Sequence, residues 1–127
     1  MSESVTAQME KLMAKYGSEV RDIVEQSCKE ISDQTAQTLK NTSPKSYRGK
    51  KRGRYARGWA VKIVGDTFIV YNRTDGQLTH LLENGHVIKN AVGTYGRTRP
   101  IKHIKPAEEA AIMKLDLRIR ARLRSLQ

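Results

Sequence analysis

The sequence predicts an α+β fold: a long N-terminal helix and a C-terminal helix packed on a small, mostly antiparallel sheet of three to four strands, with a short helix between strands. Apolar residues recur at three- and four-residue steps near both ends of the chain, as they do in amphipathic helices. Between these regions, residues 59–72 alternate as strands do around a glycine–acid turn. The 127 residues fit a single domain without internal repeats.

The first helical region covers residues 4–40. We expect a break at Gly17-Ser18, where the Ser18 hydroxyl could cap the second of two helical segments. That segment ends before Pro44, because the residue preceding a proline avoids the helical conformation. Cys28, the only cysteine, lies beside the apolar stripe without a nearby histidine or second thiol. It excludes an internal disulfide, fits a reducing cytosol and is expected to be buried and unreactive.

Residues 44–58 form a basic segment with seven cations and no acid. The cations are Lys45, Arg48, Lys50, Lys51, Arg52, Arg54 and Arg57. Three glycines separate these mutually repelling charges, so we predict a flexible arm that packs no core. Tyr47 and Tyr55 could stack on nucleic-acid bases while the cations neutralise phosphates. Alternatively, the arm docks on an acidic protein surface, or it is a solvated charge run without a dedicated partner.

The sheet is expected within residues 59–104. Its predicted strands are residues 59–64, 67–72, 86–88 and 101–104. The first two form a hairpin around Gly65-Asp66, a pair that short hairpin loops favour. The last two are joined by residues 89–100, whose three glycine or proline residues predict a loop. Arg97 and Arg99 make this loop a second basic set.

A short helix over residues 75–84 is predicted between the hairpin and the third strand. Thr74 and Gln77 have the spacing of a capping box, in which each side chain bonds the amide of the other residue. The leucines of this segment fall on one helical face. Gly85 stands where a left-handed residue ends a helix without steric penalty.

The C-terminal helix is predicted over residues 106–125. Pro106 begins it, at the position where a missing amide costs nothing. Glu108 and Glu109 are expected in the first turn and four arginines in the last turns, each sign at the end that the helix dipole favours. The arginines, expected to form a solvated face, are Arg118, Arg120, Arg122 and Arg124. The apolar stripe is Ile112, Leu115, Ile119, Leu123 and Leu126.

Composition restricts the partners and the environment. The net charge is +11, with 24 Lys and Arg against 13 Asp and Glu. This balance predicts an acidic partner, which could be nucleic acid, an acidic protein surface or anionic lipid. No run approaches 18 apolar residues, so we expect no membrane span. The N-terminus lacks the cationic lead and apolar core of a signal peptide.

The histidines raise the possibility of a metal site or an active site, but their spacing argues against both. His80 and His86 are six residues apart with Glu83 midway, whereas a zincin helix needs histidines four apart with glutamate directly after the first. We expect no metal and no cofactor. His80 or His103 with Glu83 and an arginine could run ribonuclease-type acid–base chemistry, but no substrate-reading pocket is evident. The chain also lacks GxSxG, phosphate-loop and CxxC motifs, so we predict no enzymatic activity.

Three segments together resemble a known protein family. YNRTDGQLTHLLENGH is the central one, preceded by NTSPKSYRGKKRGRYARGWAVK and followed by RTRPIKHIKPAEEAAI. They cover roughly residues 41–112 and resemble the gene-product-ten-like neck proteins of long-tailed, lambda-like bacteriophages, which are tail-completion or head–tail joining proteins. The motif residues of the central segment are Thr74, Gln77, His80, Leu81, Leu82, Glu83, Gly85 and His86.

The resemblance implies a virion structural protein of the neck, present in the host cytoplasm during assembly. Such proteins form rings, often hexameric, at the tail end. The implied partners are other copies of the chain, head-closure or connector proteins, and tail-tube or tail-terminator proteins, with transient contact to genomic DNA in the lumen. A head-to-tail ring needs two different adhesive patches. Our candidates are the exposed sheet edge and the leucine face of residues 78–82.

Within that role the basic arm has two possible placements, the DNA lumen or an acidic neighbouring ring. We favour the protein partner, because closely spaced cations gripping phosphates would slow genome ejection. The alternative function is a stand-alone, sequence-nonspecific nucleic-acid-binding protein that uses residues 45–57. No helix-turn-helix or other reading element supports it. A small basic nuclease is the third hypothesis.

Overall fold

A computed structural model describes residues 4–45, 52–89 and 92–127 of the chain. Its elements are α1 Val5–Tyr16, α2 Ser18–Thr42, α3 Arg54–Arg57, β1 Trp59–Val64, β2 Thr67–Asn72, α4 Leu78–Asn84, β3 Val87–Lys89, β4 Thr94–Arg97 and α5 Ile104–Arg124. The long helix α2 packs along α5 and across the β1–β2 hairpin. The predicted α+β class is confirmed.

The N-terminal helical region divides at Gly17, as predicted. Gly17 has φ +33°, a value that residues other than glycine rarely adopt. Its amide donates to the Met13 carbonyl and closes the last turn of α1. The predicted capping role of Ser18 is wrong, because Gly17 itself occupies the cap position of α2 and no side chain caps that end. The helix continues to Thr42, where the Ser43 amide donates to the Leu39 carbonyl.

The strands form two separate two-stranded antiparallel sheets, so the single sheet of three to four strands is wrong. The predicted hairpin is confirmed, with a register from Trp59↔Asn72 to Val64↔Thr67. The third strand pairs with Thr94–Arg97, inside the predicted loop, and not with residues 101–104. The amide of Ile101 donates instead to the Leu82 carbonyl of α4, and Ile104 already begins α5.

The core consists of two clusters at opposite ends of α2. The helical cluster joins α1, α2 and α5 through Leu12, Val20, Ile119 and Leu123. The second cluster joins α2 and α5 to α3 and β1, through Ala36, Leu39, Tyr55, Trp59 and Ala107. Leu115 and Leu126 pack on the helical cluster as predicted, but Ile112 is 62% exposed and does not belong to the buried stripe.

The C-terminal part of the predicted arm is folded. Arg54–Arg57 form one helical turn in which Tyr55 and Ala56 are buried, so the prediction of a coreless arm over 44–58 is wrong here. The buried side chains of Tyr55 and Ala56 hold this turn against the core, although the flanking arginines make the segment look solvent-exposed in the sequence. Arg48, Lys50 and Lys51, with Tyr47, lie outside the described residues.

The arginines of α5 are not simply a solvated face. Arg118 and Arg122 both form ion pairs with Glu30 on α2, with Nη–Oε2 distances of 3.1 and 2.7 Å. Arg122 also donates to the buried Ser27 hydroxyl. Arg120 pairs with Asp116 on its own helix. Among the described residues, no helix is long and apolar enough to cross a membrane.

Candidate functional site

The segments that carry the family resemblance meet in one buried place, which we call the motif junction. It consists of Tyr55, Trp59, Asn72, Glu83 and His103, which come from α3, β1, β2, α4 and the residue before α5. All five are buried. Each makes a side-chain hydrogen bond to another part of the chain.

Glu83 caps α5 from a different helix. Its Oε1 accepts the amides of His103 and Ile104 at 2.9 Å, and its Oε2 accepts the amide of Lys105 at 3.0 Å. The next residue, Pro106, has no amide hydrogen, so all the unpaired donors of this helix end are accounted for. Burial alone would raise the pKa of Glu83, but these three bonds and the neighbouring His103 lower it below its ordinary value.

This cap corrects the predicted start of α5. The helix begins at Ile104, so Pro106 is its third residue and not its first. Glu108 and Glu109 consequently lie beyond the first turn, which contains no acidic residue of its own. The negative charge that favours the helix N-terminus is supplied by Glu83 of α4, which contacts the amides of this end directly.

His103 connects Glu83 to Tyr55. Its Nδ1 lies 2.7 Å from the Ile101 carbonyl and 3.0 Å from Glu83 Oε1, so this nitrogen, which faces two acceptors, carries a hydrogen. Its Nε2 lies 2.7 Å from the Tyr55 hydroxyl. Burial and the charge of Glu83 raise the pKa of Tyr55 to about 12, so the phenol keeps its proton and donates it to Nε2.

Trp59 ties this polar chain to the end of α2. Its ring packs edge-on against Tyr55 and His103, with centroid distances of 5.7 and 6.4 Å. Its Nε1 donates to the Ser43 hydroxyl at 2.7 Å. Ser43 directly follows α2, so one tryptophan fixes the helix end, the first strand and the junction together.

Asn72 organises the turn after β2. Its Oδ1 accepts the amides of Thr74 and Asp75 at 3.2 and 2.8 Å, while its Nδ2 donates to the Tyr55 carbonyl. The capping box of Thr74 and Gln77 is therefore wrong: the Thr74 hydroxyl lies 3.1 Å from both Asn72 Oδ1 and the Arg54 carbonyl, and Gln77 makes no side-chain cap. Asparagine favours turns of this kind because its side chain bonds backbone amides a few residues on, so Asn72 is the sequence signal for the turn.

Two glycines are required by this packing. A Cβ on Gly58 would lie 2.0 Å from the Thr74 hydroxyl, which no side-chain adjustment inside the turn relieves easily. Gly85 ends α4 with φ +75°, as its predicted role requires, although its ψ of 168° is extended and not left-handed helical. A Cβ there would also meet the Thr98 carbonyl at 2.6 Å.

Glu83, His103 and Tyr55 form a carboxylate–imidazole–phenol chain with the residue types of a catalytic relay. A substrate could not reach these groups. His103 is 3% exposed, and the Glu83 carboxylate is occupied by three amides. None of Tyr55, Glu83 and His103 lines the groove described below. Every buried side-chain nitrogen and oxygen in the described part of the chain has a hydrogen-bond partner. The geometry is that of a structural network.

The structure does not bring the three histidines together. His80 is exposed on α4, and His86 is exposed with its Nδ1 3.1 Å from the Thr98 hydroxyl. No group of three or more metal-ligating side chains occurs within residues 4–45, 52–89 and 92–127. In the predicted leucine face of residues 78–82, Leu78 and Leu82 are partly buried against the core of their own chain, and Leu81 is 41% exposed.

The described cations of the arm are partly engaged within the chain. Arg54 pairs with Asp75 at 3.3 Å and donates to the Thr74 carbonyl, while Arg57 donates to the Arg52 carbonyl at 2.7 Å. Tyr55 cannot stack on a base, because its ring lies inside the junction. Other predicted contact residues are exposed: Lys45, Arg52, Arg97 and Arg99.

An open apolar groove runs between α2, the β1–β2 hairpin and α5. Its larger part has a volume of about 690 Å³, and a second hollow of about 440 Å³ shares Cys28, Asp66 and Phe68 with it. Cys28 is only half-buried there, and burial raises the pKa of its thiol. The apolar side chains that line the groove include Ile31, Leu39, Ile63, Val70, Ile112 and Leu115. The periodicity of the sequence does not predict this groove, because it assigns Ile63 and Ile112 to the buried core.

Comparison of the chain with protein-family models, with curated proteins and with solved structures gave no match in any of the three.

Proposed function

We propose that this chain is a structural, non-enzymatic protein of a tailed bacteriophage, acting in the neck as a tail-completion or head–tail joining component and assembling as a ring at the tail end. Beyond the resemblance, one observation carries the proposal. Each of the three segments that carry the resemblance contributes to the buried motif junction, and an open apolar groove lies between the elements that this junction connects.

The burial of the junction supports a structural role over a catalytic one. A general acid or base must come within hydrogen-bond reach of its substrate. Tyr55 and His103 bond to each other inside the protein, and Glu83 is held by the start of α5. A network of this kind fixes the relative positions of α2, the hairpin and α5. Those are the elements that form the groove.

Contacts in the basic segment favour a protein partner over DNA. A strand-binding arm typically combines cations with exposed aromatic rings on which bases stack. Tyr55 is unavailable for stacking, and Arg54 has a carboxylate partner in the same chain. Among the described residues of the segment, Lys45 and Arg52 are exposed cations that suit salt-sensitive attraction to an acidic surface.

The test uses particles of a phage that carries this gene. Removing the gene should give DNA-filled heads and complete tails that fail to join, seen by electron microscopy, and the wild-type chain supplied in trans should restore joining. Normal infectious particles without the protein would contradict the neck assignment. Purified protein that binds duplex DNA tightly at about 200 mM salt would favour the nucleic-acid-binding alternative.

The arm can be tested in the same system without disturbing the fold. Deletion of residues 45–57 would also remove Tyr55 from the core, so glutamine substitution is the cleaner change. Replacing Lys45, Arg48, Lys50, Lys51 and Arg52 should leave the protein folded and reduce joining. Glutamine at Lys15 and Lys29, which are exposed on α1 and α2, is the control for loss of positive charge. Full joining with the five-fold variant would remove the arm from the proposal.

A further inference from the structure

We infer that the β3–β4 ribbon binds the phosphate backbone of double-stranded nucleic acid through exposed cations at its base. These cations are Arg97, Arg99 and Lys102, and we call the surface they form the basic ribbon. The inference goes beyond the proposed neck role, because it gives a second surface of the chain a partner of its own. It rests on contacts and charges within this chain and not on the phage assignment.

The ribbon stands apart from the rest of the fold. β3 and β4 form a sheet of their own, and among the described elements they pack mainly on each other. Val87 and Ile88 are neighbours on β3, so their side chains face opposite sides of the ribbon. They are 42% and 43% exposed, so both sides meet solvent. A two-stranded ribbon that is open on both sides has a width that the major groove of a duplex admits.

Hydrogen bonds fix the base of the ribbon. The Thr98 hydroxyl accepts the His86 amide at 2.9 Å, and the Thr98 amide donates to the His86 carbonyl at 2.9 Å. Thr98 is held against His86 in this way, while the residues on either side of it, Arg97 and Arg99, are exposed. Both guanidinium groups therefore extend into solvent from a backbone that is held in place.

The positive charge of the two arginines is not neutralised by the chain. Residues 84–107 contain five Lys and Arg and no Asp or Glu. Neither Arg97 nor Arg99 forms an ion pair with any residue in the described part of the chain. The acidic residue that precedes this stretch, Glu83, is buried and accepts three amides. An external anion therefore meets both guanidinium groups without competition from these carboxylates.

Lys102 adds a third charge, whereas Lys105 does not. Lys102 is exposed, and its Nζ donates to the Asn84 side-chain oxygen at 3.2 Å, a neutral partner that leaves the charge in place. Lys105 is also exposed, but Glu108 and Glu109 follow it by one turn of α5, at spacings where opposite charges attract. We therefore assign three cations to the basic ribbon and leave Lys105 out.

Dense negative charge is the property that this surface requires of its partner. Its three cations lie within six residues of the sequence. A duplex carries one charge per about 1.7 Å of its axis, and a guanidinium can bond two oxygens of one phosphate. Bases stay stacked inside a duplex, so no exposed aromatic ring is needed, in contrast to a single strand. Contacts to phosphates carry no sequence information, so we expect binding without sequence preference.

An anionic membrane fits the ribbon less well. Insertion into lipid favours one continuous apolar face. The exposed Val87 and Ile88 lie on opposite sides, which divides the apolar surface of the ribbon. Val92, shortly before β4, is 87% exposed and is the side chain that a bilayer would take up, so vesicles are included in the test.

The experiment follows a labelled DNA duplex of mixed sequence by fluorescence anisotropy between about 50 and 200 mM salt. Wild-type affinity should fall about fortyfold over this range if three phosphates are neutralised. Arg97→Gln/Arg99→Gln should lower the magnitude of the log–log salt slope by about 2 and weaken binding at low salt by about tenfold or more. Lys15→Gln/Lys29→Gln removes the same charge from exposed positions on α1 and α2 and should change the slope by less than about 0.5.

Three results would overturn the inference. The first is wild-type protein that leaves the duplex unbound at about 50 mM salt. The second is an equal loss of affinity and slope in the two double variants, which would mean that net charge alone attracts the duplex. The third is binding to vesicles of anionic phospholipid that Arg97→Gln/Arg99→Gln abolishes while duplex binding is unchanged, which would assign the ribbon to a membrane.

A second variant guards against damage to the ribbon itself. Arg97 is the last residue of β4, whereas Arg99→Gln/Lys102→Gln lies outside both strands. This variant should keep the wild-type circular dichroism spectrum and show the same change of slope. An NMR titration of the ¹⁵N-labelled wild-type chain then locates the contact. Amide signals of residues 94–102 should shift when duplex is added and those of α1 should not, and unchanged signals over 94–102 would contradict the inference.

Failure of this inference and failure of the neck proposal are separable. The binding measurements use purified protein, whereas joining of heads and tails is scored on particles. An affinity that falls steeply by about 200 mM salt also differs from the tight binding at that salt that would favour a stand-alone nucleic-acid-binding protein.

Discussion

The motif junction and the helical cluster stabilise the two ends of one small fold by different means. The helical cluster is four aliphatic side chains from three helices, whose burial is favourable in any orientation that fills the space. In the junction, a carboxylate, an imidazole, a phenol, an amide and an indole each need a partner at a fixed distance and angle. The difference predicts that the two regions respond differently to substitutions of similar size.

The largest expected effect is that of removing the Glu83 carboxylate. Glu83→Ala leaves the amides of His103, Ile104 and Lys105 without their acceptor at a partly buried helix end, which should lower the free energy of unfolding by about 3 kcal/mol or more. Urea unfolding followed by circular dichroism measures this directly. Glu83→Gln keeps one oxygen acceptor but turns a donor toward the third amide, so about half that loss is expected. Equal stability of Glu83→Ala and wild type would contradict the capping role.

Tyr55→Phe should have a smaller effect than Glu83→Ala. The variant keeps the ring packing but leaves the buried Nε2 of His103 without a donor, at a cost of about 1–2 kcal/mol in unfolding free energy. Tyr71→Phe is the matched control, because Tyr71 is only half-buried and its ring contacts Lys62. Its expected change is below about 0.5 kcal/mol. If both variants lose the same stability, the Tyr55–His103 bond contributes nothing specific.

The helical cluster should tolerate a change of shape at constant volume. Leu123→Met replaces a fully buried aliphatic side chain by a flexible one of similar size, so we expect a loss below about 1.5 kcal/mol. Leu123→Ala at the same site opens a cavity and should cost about 2–5 kcal/mol. Thermal unfolding of both variants checks the pair. A Leu123→Met variant as unstable as Leu123→Ala would mean that this region is also geometrically demanding.

What could be predicted from the sequence follows the same division. The helices, the break at Gly17 and the β1–β2 hairpin depend on local periodicity and turn chemistry, and the structure confirms them. Local sequence patterns place the start of α5 at Pro106 and not at Ile104, because the residue that caps this helix, Glu83, is some twenty residues away in the sequence. The local spacing of Thr74 and Gln77 predicts a capping box for α4 that the structure does not contain.

The surface was harder to predict for a related reason. Periodicity distinguishes apolar from polar faces but not whether a face meets its own chain or another one. Ile112 and Leu115 belong to the same predicted stripe, yet Leu115 packs on the helical cluster and Ile112 faces solvent. The high density of positive charge around Tyr55 predicts a flexible arm, but the structure contains a helical turn whose Tyr55 and Ala56 side chains are buried.

The smallest expected effect is the pH dependence that Glu83 contributes. In the unfolded chain its carboxyl has the ordinary pKa of 4.5, and in the folded protein the three amides and His103 lower it. The folded state therefore favours the ionised form, so the stabilisation is complete well above pH 4.5 and is lost as the pH falls through the lower, folded pKa.

His103 is the titratable group in direct contact, and Tyr55, beyond it, stays protonated throughout this range. The difference in unfolding free energy between wild type and Glu83→Gln should shrink between neutral pH and about pH 3, while titrating groups that do not contact Glu83 cancel in the comparison. If the difference in unfolding free energy stays constant over this range, the charge of Glu83 does not stabilise the junction, and only the positions of its hydrogen-bond acceptors matter.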